Sequence, residues 1–319
     1  MGKSDRDPLF FPPARQGELD DQPEDQRLQL DPAAQQKGLR LVVFGGLLAL
    51  AVLLLYLQRD RVSPPRSATE TRNPPSAAIP PLGGLAQLSP QQQAERLLER
   101  ALNHDRDAAR AITRNAQAWR GSLQLTSRLD DLLTAASNSP DLGLRAAAIE
   151  IQLAAHNIAK SPEAAARLIA LAEVGGNPRL WALWMLGMLA NRGVEPDRAR
   201  QTLLAYVHDR NQQTRLWAVE GLAQVGNEDV VSPLLEVLHN DPSFEVRERA
   251  ARSLGRGGML SPDLRLHAVP ELLRFADNPT LPADTRRLVF QALRDITGQD
   301  LANDPAAWRR WQSSQAADR

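Results

Sequence analysis

The chain has no cysteine, which excludes disulfides, thiolate catalysis and cysteine-ligated zinc. Aromatic residues are only 4% of its 319 positions, and runs of β-branched residues are scarce, so little favours strands. Lysine is almost missing: Lys3, Lys37 and Lys160 are the only three among 38 basic residues. That skew reads as codon bias in a GC-rich genome, without functional meaning. Neither sign of charge is in excess, with 38 bases against 38 acids, which removes the basic surplus expected of a nucleic-acid binder. G-x-S-x-G, Walker A, G-x-G-x-x-G and H-E-x-x-H are all absent, so no hydrolase, nucleotide-binding or zinc-protease signature stands in the chain. What dominates is Ala, Leu, Arg, Gln and Glu, good helix formers. The expected fold class is all-α.

The first third of the chain has its own organisation. Residues 1–37 are polar, with eight acids (Asp5, Asp7, Glu18, Asp20, Asp21, Glu24, Asp25 and Asp31) against five bases. A segment with so little to bury is expected to be disordered. Seventeen uncharged residues follow, Leu41 to Leu57, reading LVVFGGLLALAVLLLYL. At ~1.5 Å per residue they span roughly 26 Å, just enough for a hydrocarbon core. The run starts too far from the first residue for a secretory signal and does not end at small residues, so residues 38–58 read as an uncleaved transmembrane helix. Arginines flank both ends, Arg40 before and Arg59, Arg61, Arg66 and Arg72 after, so the positive-inside rule does not decide orientation. The short charged tail is assigned to the cytoplasm and the remainder to the far side, which places the chain in a bacterial inner membrane as a single-pass protein. Residues 59–88 contain three Pro-Pro pairs and read as a semi-extended linker.

From Ser89 onward the sequence repeats. Arg145, Arg179, Arg215, Arg247 and Arg286 are spaced by 34, 36, 32 and 39 residues. Three, four and seven residues after each arginine the chain is apolar, with Gln152 the only polar exception. Those offsets share one helical face, so each unit opens with a helix in the same register. Offset eight is small in three units, as Gly187, Ala223 and Gly255, which lets neighbouring helices approach closely. Second helices follow, with Pro162, Pro196, Pro233 and Pro270 near their starts, where a missing N–H costs little. Ser161 and Asp284 read as N-terminal caps. At the end of the chain Asp304-Pro305 opens a last helix whose Trp308 and Trp311 are read as covering the open end of the core.

The stretch from Thr214 to Gly258, TRLWAVEGLAQVGNEDVVSPLLEVLHNDPSFEVRERAARSLGRGG, resembles HEAT repeats, in particular the short bacterial kind related to bilin-lyase HEAT-like repeats. The resemblance extends in phase over about 230 residues (89–319) and implies a right-handed α-solenoid of about five to six helix pairs, preceded by one transmembrane helix and closed by a C-terminal cap. It also implies an Asp–Arg ladder linking successive repeats, for which Asp209, Arg215, Asp241 and Arg247 are in step, while Asp141 and Asp277 are out of step.

Two functional classes follow. The first is a non-enzymatic, membrane-anchored scaffold or adaptor for a protein or peptide partner. Trp181, Trp184 and Trp217, which face away from the apolar stripe, would supply hot-spot contacts, and Arg179 and Arg210 polar ones. Packing between adjacent first helices is the plainer role for these tryptophans. The second class, implied by the family relation alone, is a bilin-lyase-like or other small-molecule-handling enzyme. HEAT-like DNA glycosylases are a more distant relation, and zero net charge from residue 90 onward speaks against nucleic acid. HEAT-like iron hydroxylases use His-Glu dipeptides as ligands; none occurs here, so no metal and no cofactor are expected. His104, His156, His208, His239 and His267 read as loop-edge residues.

Overall fold

The computed structural model describes residues 84–317. The tail (1–37), the expected membrane span (38–58) and most of the linker therefore lie outside the described residues. Among the described residues no helix is long and apolar enough to cross a membrane and no strand occurs. A short 3-10 turn, Leu85–Gln87, precedes the first helix, and Leu85 packs partly into its core. The ordered fold thus reaches a few residues back into the stretch read as linker.

Helices α1 (Pro90–Leu102), α2 (Arg106–Asn115), α3 (Ser127–Ser137) and α4 (Leu142–Ala155) come first. Then follow α5 (Pro162–Val174), α6 (Gly176–Asn191), α7 (Pro196–Tyr206), α8 (Gln212–Val225), α9 (Val231–Asn240) and α10 (Phe244–Gly255). The last are α11 (Pro262–Leu266), α12 (Val269–Asp277), α13 (Ala283–Thr297) and α14 (Pro305–Ala317). Their ends follow local chemistry. Ser89 and Gln92 form a reciprocal capping box at α1 with Pro90 at the first position, satisfying N–H groups that the helix itself leaves free. Ser161 accepts from the Ala164 N–H ahead of Pro162, as its sequence predicts.

The five repeat arginines all fall in the opening helices, α4, α6, α8, α10 and α13. Helices α6, α8, α10 and α13 lie side by side in one layer, and α5, α7, α9 and α12 each pack tightly against the layer helix that follows. The most extensive contact among the described residues is between two opening helices, α6 and α8. The long spacing of 39 between Arg247 and Arg286 has a direct cause: the extra short helix α11 is inserted there. This arrangement is consistent with an α-solenoid.

The approach of α6 to α8 rests on two glycines. A Cβ on Gly187 would stand 2.1 Å from the Gly221 carbonyl oxygen, and one on Gly221 would stand 2.6 Å from the Leu183 carbonyl oxygen. Both carbonyls are backbone, and Leu203 Cδ2 also stands 2.5 Å from a Cβ on Gly221, so the two helices must separate to admit a methyl group. We expect Gly221→Ala to cost about 1–3 kcal/mol, the usual range for overpacking a tight contact. Urea unfolding would read this as a lower midpoint with unchanged slope; an unchanged midpoint would show that the contact is not rigid.

The leading segment departs from simple stacking. Helices α1–α4 enclose their own core, built on Leu97, Leu98, Ile112, Trp119, Leu129 and Ile151. A second core runs through the repeats from α5 to α14; from α4 it takes the buried Ile149 and Leu153, with Leu142 and Ala146 packed partly against it. Sequence periodicity places α4 in register with the other opening helices, yet α4 packs mainly on α2 and α3 and touches α6 sparsely. At the other end Trp308 is fully buried against the repeat core and donates from Nε1 to the Ala302 carbonyl at 3.0 Å. Trp311 is half-buried and meets Trp308 edge-on, ring centroids 5.7 Å apart.

Candidate functional site

Arg–Asp contacts join successive units from α6 to α13. Arg215 donates to the Asp209 and Arg210 carbonyls and Arg247 to those of Asp241 and Pro242, in the loops before their own helices. Further N–H groups of Arg179, Arg215 and Arg247 reach the acid of the next unit. Arg179 meets Asp209 at 3.5 Å, Arg215 grips Asp241 with two hydrogen bonds of 2.7 and 3.1 Å, and Arg247 meets Asp284. The third acid is thus Asp284, which sits in the first turn of α13, whereas the helix is preceded by Pro282. Its assignment as a cap is corrected accordingly. Asp277 instead pairs with Arg309 on α14, and Asp141 accepts the Gly143 and Leu144 N–H groups at the start of α4. Backbone bonding from Thr285, with Arg247 nearby, holds the Asp284 carboxyl below its ordinary range. The Arg215–Asp241 rung is the driest, with side chains 10% and 3% exposed.

A cleft of about 200 Å³ opens beside this rung, between His208, Asp209, Glu236 and Asp241. A second, of about 430 Å³, lies between the α1–α2 turn and the start of α4, lined by His104, Arg106, Arg110, Asp141 and Leu144. Among the described residues no group of His, Asp and Glu is arranged to hold a metal ion.

The tryptophans come together as a set. Trp184 and Trp217 meet edge-to-face across α6 and α8, centroids 6.1 Å apart. Trp181 and Trp184 both receive the ring of His156 edge-on, at 5.6 and 6.2 Å. All three tryptophans are half-buried. Arg179 is drawn away from them to the loop edge, where it donates to the Ala172 carbonyl at 2.7 Å and lies over the Tyr206 ring. Arg210 is exposed, and its side chain has no polar partner among the described residues.

Two participants were not picked out by the sequence. His156 closes α4 and is desolvated enough to bring its pKa down to about 4. Its position eleven residues after Arg145 shares the face of offsets four and seven, and that was the available signal. Arg265 lies outside the repeat register and nothing in the sequence marks it. It is buried and donates to the Ser253, Leu254 and Gly257 carbonyls at the end of α10. Arg145 joins it there, donating to the carbonyls of Arg256 and Gly258, 111 and 113 residues ahead. Two guanidiniums at one helix C-terminus suit the negative end of its dipole. Burial, with Arg145 adjacent, lowers the pKa of Arg265 to about 10.

No curated protein matches the chain. Among solved structures, the crystal structure of an engineered protein aligns over 64% of this chain and 96% of its own length, with 15% identity and a TM-score of 0.31. Residues 176–255, the stretch from α6 to α10, match the family model for HEAT repeats and mark this part of the chain as HEAT-like helical repeats.

Proposed function

We propose that the chain is a non-enzymatic scaffold whose HEAT-like repeats hold a protein or peptide partner close to a membrane. The observation that carries this reading is the family match over α6–α10, because stacked helical repeats offer extended surfaces for protein contact. The tryptophan set lies within that stretch, and Arg210 stands exposed at its loop edge. Tryptophan and arginine are the residue types enriched at interface hot spots. In this proposal residues 38–58 anchor the chain in a bacterial inner membrane, and the repeats lie outside the cytoplasm. Tethering would raise the effective concentration of repeats and partner without adding contacts.

The test is in-cell cross-linking of the full-length chain, followed by capture in detergent and identification of the retained protein. Arg210→Glu, at a side chain without a folding role, is expected to reduce recovery of that protein at least tenfold. Undiminished recovery by Arg210→Glu, or by a chain truncated after residue 89, would overturn the reading. Protease treatment of intact spheroplasts tests the assigned side: residues 90–319 should be digested from outside.

A further inference from the structure

The junction between α1–α4 and the repeat stack is built unlike either core. Beside the apolar contacts of Leu142, Ala146, Ile149 and Leu153 it holds buried polar and charged groups. Glu150, 1% exposed, receives Lys160 Nζ at 2.9 Å and faces Arg192 at 3.7 Å at the end of α6. Gln117 accepts the Lys160 backbone N–H from the other side, at 3.4 Å. Arg145 ties the start of α4 to the end of α10, and His156 ties its end to Trp181 and Trp184. Of the ten buried side-chain polar atoms without a hydrogen-bond partner among the described residues, five stand here: Gln117 Nε2, Glu150 Oε2, Gln152 Oε1, Trp181 Nε1 and Arg192 Nε. Natural interiors satisfy nearly all such atoms, and each one left unpaired penalises the closed arrangement.

We propose that α1–α4 form a docked cover, which opens from the repeat stack as a unit and uncovers Trp181 and Trp184. Opening keeps the cover's own core intact, since Leu97, Leu98, Ile112 and Ile151 pack within it. It withdraws Ile149 and Leu153 of α4, both buried, and the partly buried Leu142 and Ala146 from the repeat core. Against that loss, five unpaired polar atoms and the Glu150, Lys160 and Arg192 charges regain water. A segment joined in this way has a lower opening free energy than the rest of the molecule. The cover thereby controls access to the tryptophan set, an autoinhibitory contact that rests on the reading of those residues as a partner surface.

Hydrogen exchange on the intact chain tests the opening without any partner, so failure to find a partner and failure of the cover are separate results. The slowest amides of α1–α4 should exchange together, at least tenfold faster than the slowest amides of α8 and α10. Arg145→Ala should accelerate the cover by a further tenfold or more and leave α12 and α13 unchanged. Should that variant fold poorly, Glu150→Gln is expected to move the same amides in the same direction. A common exchange rate for cover and stack, or a variant that accelerates both equally, would overturn the proposal.

Discussion

Asp241→Ala is expected to remove about 3–5 kcal/mol of stability, the cost of breaking a buried ion pair by deleting one partner. The carboxylate is 3% exposed and accepts both hydrogen bonds that Arg215 directs at it. It also accepts the Ser243 N–H at 2.8 Å, ordering the turn into α10. Deletion leaves a buried guanidinium with only the Asp209 and Arg210 carbonyls. For a folded region of this size the loss corresponds to a melting temperature roughly 10 °C lower. The other rungs should rank by exposure. In the Arg179–Asp209 pair both side chains are more than 20% exposed and stand 3.5 Å apart, so Asp209→Ala should cost less than about 1 kcal/mol. Replacing Arg215 and Asp241 together by apolar residues should recover much of the loss, because two uncharged residues leave no ion unpaired. Equal costs for Asp209→Ala and Asp241→Ala would mean that burial does not set the strength of the ladder.

That ranking could not be read from the sequence, although the rungs could. The five arginines, the apolar offsets and the small residues at Gly187, Ala223 and Gly255 are fixed by helical geometry, which is local, so their spacing reveals the opening helices. The partner of each arginine depends on the lateral offset between successive units. The sequence puts Asp209, Arg215, Asp241 and Arg247 in one ladder between repeats, and only the fold shows that Asp209 meets Arg179 and Asp241 meets Arg215. The same limit hid the junction. Arg145 and His156 lie in register with the repeat, but their surroundings come from Gly258, Trp181 and Trp184, contacts that no local pattern encodes.

His156 supplies the second large effect, and its sign follows from burial. Its ordinary pKa is 6.5, and desolvation at the end of α4 brings it to about 4 in the fold. Near pH 7 the ring is neutral in both folded and unfolded chains, so its contribution is fully present there. Between pH 6.5 and 4 the unfolded chain takes up a proton that the folded chain refuses, and stability falls with pH. The difference between the two pKa values corresponds to about 3 kcal/mol lost on going from pH 7 to pH 4. His156→Phe retains an aromatic ring against Trp181 and Trp184 and cannot titrate. Unfolding free energies of both proteins, measured at intervals across that range, should diverge by about 3 kcal/mol as the solution is acidified, with the variant losing less. If the two curves stay parallel down to pH 4, His156 is solvated in the fold and the junction does not exclude water around it.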